Sequence, residues 1–269
     1  MTGIAYTPGR RWKKPPLITS PLLRWSLGLG IAVYLALALG TTEIDWGRVA
    51  EGIPRGLRFI TGFFPPDFVT RWDEIFQGIS ESLWMTVIST VVGIALSIPI
   101  GLGAARNLAP RPVYYFCRAV LAVSRSFQEI IIAIFCVKLF GFGPFAGFVT
   151  LSFATIGFYG KLLAEDIEDM DPVQAEAVRA TGAGWFQWLN YAVQPQVLPR
   201  MIGLGLYRLD INFRESAVVG IVGAGGIGAT LNTAFDRYEF ESAAAILLII
   251  IAIVMAVEYT SSFVRKWVQ

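Results

Sequence analysis

Histidine is absent from the entire chain. That removes haem axial pairs, His-rich zinc sites and imidazole acid–base catalysis together. Charge is scarce too: 16% of residues are charged against 55% hydrophobic, and the mean hydropathy is +0.58. A soluble domain of 269 residues is far less apolar, so the composition places the chain in a membrane. A net charge of +2 is too small to imply a nucleic-acid partner. The two cysteines, Cys117 and Cys136, fall 19 residues apart. On one helix that is about 28 Å, which excludes a disulfide unless the helix breaks. The sequence also lacks a nucleotide P-loop, a metal-ligand cluster and a nucleophile–base set. It therefore reads as non-catalytic, with any coupled ATP hydrolysis belonging to another chain. No repeat or low-complexity tract divides it.

What is present is a series of apolar segments, predicting an all-α membrane protein of about six transmembrane helices. Residues 1–24 form a basic tail, with Arg10, Arg11, Lys13, Lys14 and Arg24 among four prolines. The spans are expected at 25–40, 82–105, 113–140, 144–163, 201–228 and 242–264. Ala36-Leu37-Ala38 leaves a cleaved signal peptide as the competing reading of the first span, opposed by the length of the basic region. Residues 41–81 mix acids, arginines and aromatics as an outer interfacial segment would, interrupted at Pro65-Pro66. Counting crossings from a cytoplasmic amino terminus places the 106–112 loop, the 161–200 loop and the carboxyl terminus inside. The Lys/Arg distribution agrees at both termini and over 106–118.

The 165–200 loop is the most structured of the connections. Asp171-Pro172-Val173-Gln174 has an acidic N-cap, proline at the first helical position and glutamine at the third. A helix is predicted to about Thr181, with Gly182 as its left-handed stop. A second, Trp185–Val193, should end before Pro195. Glu176 and Arg179 lie near the exposed turn, while Trp185, Trp188 and Leu189 are free to pack. Two readings stay open: a rigid pair that transmits force, or an interfacial pair that anchors the loop.

Glu176-Ala177-Val178 followed by Gly182 and Pro195 resembles the EAA motif of binding-protein-dependent ABC importer permeases, departing from it at Val178, Ala192 and Gln194. Phe63-Phe64-Pro65-Pro66-Asp67, Ala104-Ala105-Arg106-Asn107, Arg125-Ser126-Phe127-Gln128-Glu129, Gly160–Glu165, Asn212–Ser216 and Gly223–Gly228 are similar to the phosphonate/phosphite branch of these permeases, related to methionine permeases. The resemblance implies the type I importer permease fold in a bacterial inner membrane. It also implies a homodimer of permeases, two cytoplasmic ATPase subunits that bind ATP and Mg²⁺, and a periplasmic or lipid-anchored substrate-binding protein. Asp171, Glu176, Ala177, Arg179 and Gly182 would then couple the permease to the ATPases.

Charges inside the spans are costly, about 2.5–3.5 kcal/mol each at a helix centre on insertion scales, so they face cavities or partners. Arg125 with Glu129, and Asp210 with Arg214, are spaced to neutralise one another on one helical face. The pairs are either structural bridges, or Arg125, Glu129 and Arg214, with Arg208, Asn212 and Glu215, line a translocation path for an oxyanion. Gly223-Ala224-Gly225-Gly226-Ile227-Gly228 matches a dinucleotide fingerprint after a strand-like 217–222, but lacks the surrounding βαβ unit. Gly223, Gly225, Gly226 and Gly228 are better read as close helix contacts or a broken helix at a gate. An ion-gradient-driven carrier is the alternative that also explains the buried charges.

Overall fold

The computed structural model describes residues 20–41 and 45–268. The basic tail expected over 1–24 therefore lies mostly outside the described residues. Its last four residues are already helical, because Pro21 opens α1 (Pro21–Thr41) with the φ a helix needs. The chain separates into two units, residues up to Phe59 and residues from Ile60 onward.

In the first unit, α1 buries none of its residues, so its apolar surface is turned outward all round. Most of α2 (Trp46–Thr61) follows, with Trp46, Val49, Ile53 and Leu57 along one face. Arg48, Glu51, Arg55 and Arg58 occupy the other, supported by the pairs Arg48–Asp45 (3.1 Å) and Arg55–Glu51 (3.0 Å). This two-sided pattern is that of an interfacial helix.

The second unit is built on α3 (Trp72–Ala104) and α6 (Pro144–Glu168). Ser82, Thr86, Ser89, Gly93, Ser97, Gly101 and Ala104 make a small-residue stripe on α3. Gly147, Thr150, Ala154, Thr155, Gly157 and Gly160 answer it from α6. Hydrocarbon gives helices no hydrophobic reason to associate, so close backbone approach and hydroxyl hydrogen bonds must do it. The approach is tight: a Cβ on Gly93 would come within 3.1 Å of the Ser152 carbonyl. The start of α3 is clamped to the turn before α11 (Phe240–Val268) by Arg71, which pairs with Glu74 and with Glu239 at 2.7 Å. Asp67 N–H adds a bond to the Glu241 carbonyl at 3.1 Å.

Among the described residues, α1, α3, α6 and α11 are individually long and apolar enough to cross a membrane. Two bent pairs bring the number to six. The segment expected as one span over 113–140 is two helices, α4 (Arg111–Ser126) and α5 (Glu129–Phe140), bent by 92°. Phe127 and Gln128 are extended there. Ser124 Oγ donates to the Phe153 carbonyl of α6 (2.7 Å), and the Gln128 carbonyl accepts the Ile131 and Ile132 N–H groups of α5. Cys117 and Cys136 consequently sit on different helices, both buried and both free thiols.

The other bent pair replaces the expected 201–228 span. Its first arm begins at α8 (Trp185–Trp188), passes through a π turn at Leu189–Val193 and continues as α9 (Gln194–Val219). The helix expected to stop before Pro195 does not stop. The wide turn closes with Gln194 N–H on the Leu189 carbonyl, which leaves Pro195 in the first turn of α9, where its missing N–H costs little. A second π turn, Gly220–Ala224, leads to α10 (Gly226–Asp236), inclined by 55° to that arm. Residues 217–222, read as strand-like from sequence, are helical or in this π turn, so the glycine fingerprint follows no strand.

Candidate functional site

Between α6 and α8 lies α7 (Pro172–Ala180). Asp171 Oδ1 accepts the Val173 N–H at 2.9 Å, Pro172 holds the first position, and Thr181 closes the helix. Gly182 then adopts φ +83°, its N–H on the Arg179 carbonyl at 3.0 Å. The predicted caps are therefore present, with one change. The Asp171 N–H, which a capping box would give to Gln174, is taken by Gln196 Oε1 of α9 at 2.9 Å. Trp188, only 2% exposed, donates its indole N–H to the Ala175 carbonyl (2.9 Å), and the Arg179 guanidinium lies 4.1 Å from the centre of its ring. Glu176 and Ala177 remain on the exposed face. Ala177, Val178, Thr181, Gly182, Gln187 and Tyr191 border a shallow surface depression beside it.

Deeper in the unit, a polar cluster joins α3, α6 and α9. Asn212, fully buried, donates to Thr90 Oγ1 (2.8 Å) and Thr155 Oγ1 (3.0 Å). Thr155 donates to the Leu151 carbonyl (2.6 Å) and accepts from Arg208 Nε (3.1 Å). Its hydroxyl is thus used on both sides, as burial requires. The Arg208 guanidinium reaches Glu215 at 3.3 Å and lies 5.3 Å from the Phe158 ring centre. Glu129 lies beside both Arg208 and Glu215.

The structure keeps one expected charge pair and dissolves the other. Asp210 and Arg214 bond at 2.7 Å across one turn of α9. Arg125 and Glu129 do not pair, because a four-residue spacing shares a face only within an unbroken helix, and the break lies between them. Glu129 joins the Arg208 cluster, whereas Arg125 is exposed and its side chain makes no ion pair or hydrogen bond among the described residues.

The glycine run forms the break between α9 and α10. Gly223, Gly225 and Gly226 have φ of +98°, +77° and +72°. Gly228 approaches the Ala217 carbonyl so closely that a Cβ would collide with it. Two groups that local pattern did not reveal complete this corner. Glu81 accepts the Gly226 N–H at 3.0 Å and Ser82 Oγ accepts the Ile227 N–H at 2.9 Å, so α10 is capped from α3. These partners are 145 residues apart in sequence. Only their chemistry, oxygen acceptors for orphan helical N–H groups, could have suggested them. Ser82→Ala is expected to cost about 0.5–2 kcal/mol, the usual range for a lost cap, read as a lower melting temperature of the purified protein.

Within the second unit, α3, α6 and α9 pack around a buried polar cluster, and a capped helix pair stands between the apolar helices α6 and α9, the architecture of a helical membrane protein. A solved structure described as inward-facing conformations of the MetNI methionine ABC transporter aligns with a TM-score of 0.62 at 22% identity, over 72% of this chain and 96% of that one. The shared fold is that of type I ABC importer permeases. Residues 97–269 match the family of binding-protein-dependent transport system inner membrane components, and the chain belongs to that family. The phosphate-import permease protein PhnE of Mycolicibacterium smegmatis is 41% identical over 242 residues, 89% of this chain but only 44% of that protein's length. The putative phosphite transport system permease protein HtxC of Stutzerimonas stutzeri is 36% identical over 232 residues, covering 86% of this chain and 82% of the relative.

Proposed function

We propose that this chain forms, as a homodimer, the translocation path of an ATP-driven importer for phosphonate- and phosphite-type oxyanions. Two ATPase subunits supply ATP and Mg²⁺ chemistry from the cytoplasm, and a substrate-binding protein delivers cargo from outside. The observation that supports coupling most directly is α7: capped at both ends, presenting Glu176 and Ala177 outward, and bonded at its back to the helix that holds the polar cluster. In this reading α7 and both termini face the cytoplasm. The phosphate, phosphite and phosphonate in the names of the relatives, and the arginines of α4 and α9, support an oxyanion of this class as cargo.

Arg208 is occupied by Thr155 and Glu215, and Arg214 by Asp210. Arg125 is the arginine of the three left open to a passing oxyanion. A pore must release what it holds, so the contact is transient and recognition belongs to the binding protein. Arg125→Gln is expected to lower flux several-fold while leaving the binding protein's affinity unchanged; unaltered flux would move Arg125 out of the path.

The test of the whole proposal is uptake into proteoliposomes containing the chain, its ATPases and its binding protein. Phosphite, methylphosphonate and phosphate would be offered in competition. Import that requires ATP and is inhibited by these oxyanions supports the reading. Import that persists without ATP and collapses with a proton or sodium gradient defeats it.

A further inference from the structure

The hydrogen bonds and the cation–π contact that fasten α7 all lead to one place. Its N-cap N–H bonds Gln196, its Ala175 carbonyl bonds Trp188, and Arg179 stacks on the same indole. Among the described residues, no hydrogen bond or ion pair of α7 reaches α6, to which the chain joins it by only a short turn. Trp188 and Gln196 lie on one continuous rod, α8, π turn and α9. Farther along that rod come Arg208, Asn212 and Glu215, and then the glycine break. The rod itself bears on α6 through Tyr159 Oη to the Met201 carbonyl (3.0 Å) and Arg200 to Asp166 (2.8 Å).

We propose that Trp188 and Gln196 are positioning residues that deliver a displacement of α7 to α9, so that α7, α8 and α9 move as one lever against α6. This rests on α7 being the element that docks the ATPase. The chemistry suits a stiff joint. The indole is a buried, donor-only group with few rotatable bonds, and its hydrogen bond and the cation–π contact hold the same ring from two sides. Gln196 uses both ends of its amide, its Oε1 on Asp171 N–H and its Nε2 on the Ala192 carbonyl at 2.8 Å. That bond ties α7 to the π turn through a single side chain. A force on α7 therefore reaches the polar cluster along the axis of a helix, not through the 169–170 turn.

The experiment uses the full assembly in proteoliposomes, with the probe being whichever of phosphite, methylphosphonate and phosphate the unaltered assembly imports fastest. Trp188→Phe removes the indole donor and keeps a ring beneath Arg179; Gln196→Met removes both amide contacts at similar volume. The readout is oxyanion imported per ATP hydrolysed, a ratio that a merely structural loss of active complexes does not change. The combined variant is expected to lower it about tenfold, and each single change about threefold, in line with coupling changes produced by residues that touch neither ligand. A cross-link from Glu176→Cys to the ATPase, measured in parallel, reports docking. If docking persists and the ratio equals that of the unaltered assembly, the lever is overturned. If the unaltered Trp188 and Gln196 assembly gives no cross-link, the docking role of α7 fails beneath it. Should the combined variant not assemble, the single variants decide by the same ratio.

Discussion

Glu176→Lys, or Gly182→Pro, is expected to abolish ATP-driven uptake while the protein still reaches the membrane in normal amount. Glu176 is exposed on α7, and no hydrogen bond or ion pair holds it among the described residues. Reversing its charge therefore leaves the fold intact and acts on whatever docks there, where a like-charge encounter costs several kcal/mol. Gly182→Pro works differently. The left-handed φ of +83° is closed to proline, whose ring holds φ near −65°, and the substitution removes the N–H that bonds the Arg179 carbonyl. The end of α7 and its approach to α8 must then rearrange. Uptake at the unaltered rate by both variants, at matched expression, would show that α7 is an anchor for the loop and not a coupling element.

The second large effect is expected at Arg208. Its guanidinium is 3% exposed and bridges α6 to α9 while facing the Glu215 carboxylate. Arg208→Met leaves that carboxylate without its partner, and removing one member of a buried pair costs about 3–5 kcal/mol. The variant should melt at lower temperature or be recovered in low yield. Adding Glu215→Gln should restore most of the loss, because a neutral amide needs no counter-charge. Stability equal to the unaltered protein in Arg208→Met alone would mean that Asn212 and the two threonines hold α3, α6 and α9 together without it.

Much of this arrangement was legible in the residue pattern. The long apolar helices follow from runs of apolar residues, and the ends of α7 from Asp171-Pro172 and Gly182, because a cap is a local contract between a side chain and the next few N–H groups. Asp210 and Arg214 pair as read, since α9 is unbroken across them. Arg125 and Glu129 carry the same spacing, but the extended residues Phe127 and Gln128 intervene without a proline or glycine to announce them. That break depends on α6, through the Ser124 bond to Phe153, and no local rule contains α6. Pro195 misled in the opposite sense: proline stops an α-helix, but a π turn placed just before it lets the helix continue. Glu81 and Ser82 were invisible for the same reason as the break. They cap a helix to which only the folded chain brings them.

This permease is proposed to work as one part of an ATPase-driven assembly. The direct measurement is the composition of the complex purified through a tag on this chain from its native membrane in mild detergent. One ATPase subunit per copy of the chain is the expected result, with two copies of each in the particle. Recovery of the chain alone, under conditions that keep a comparable importer intact, would contradict the claim and leave α7 without a partner to answer to.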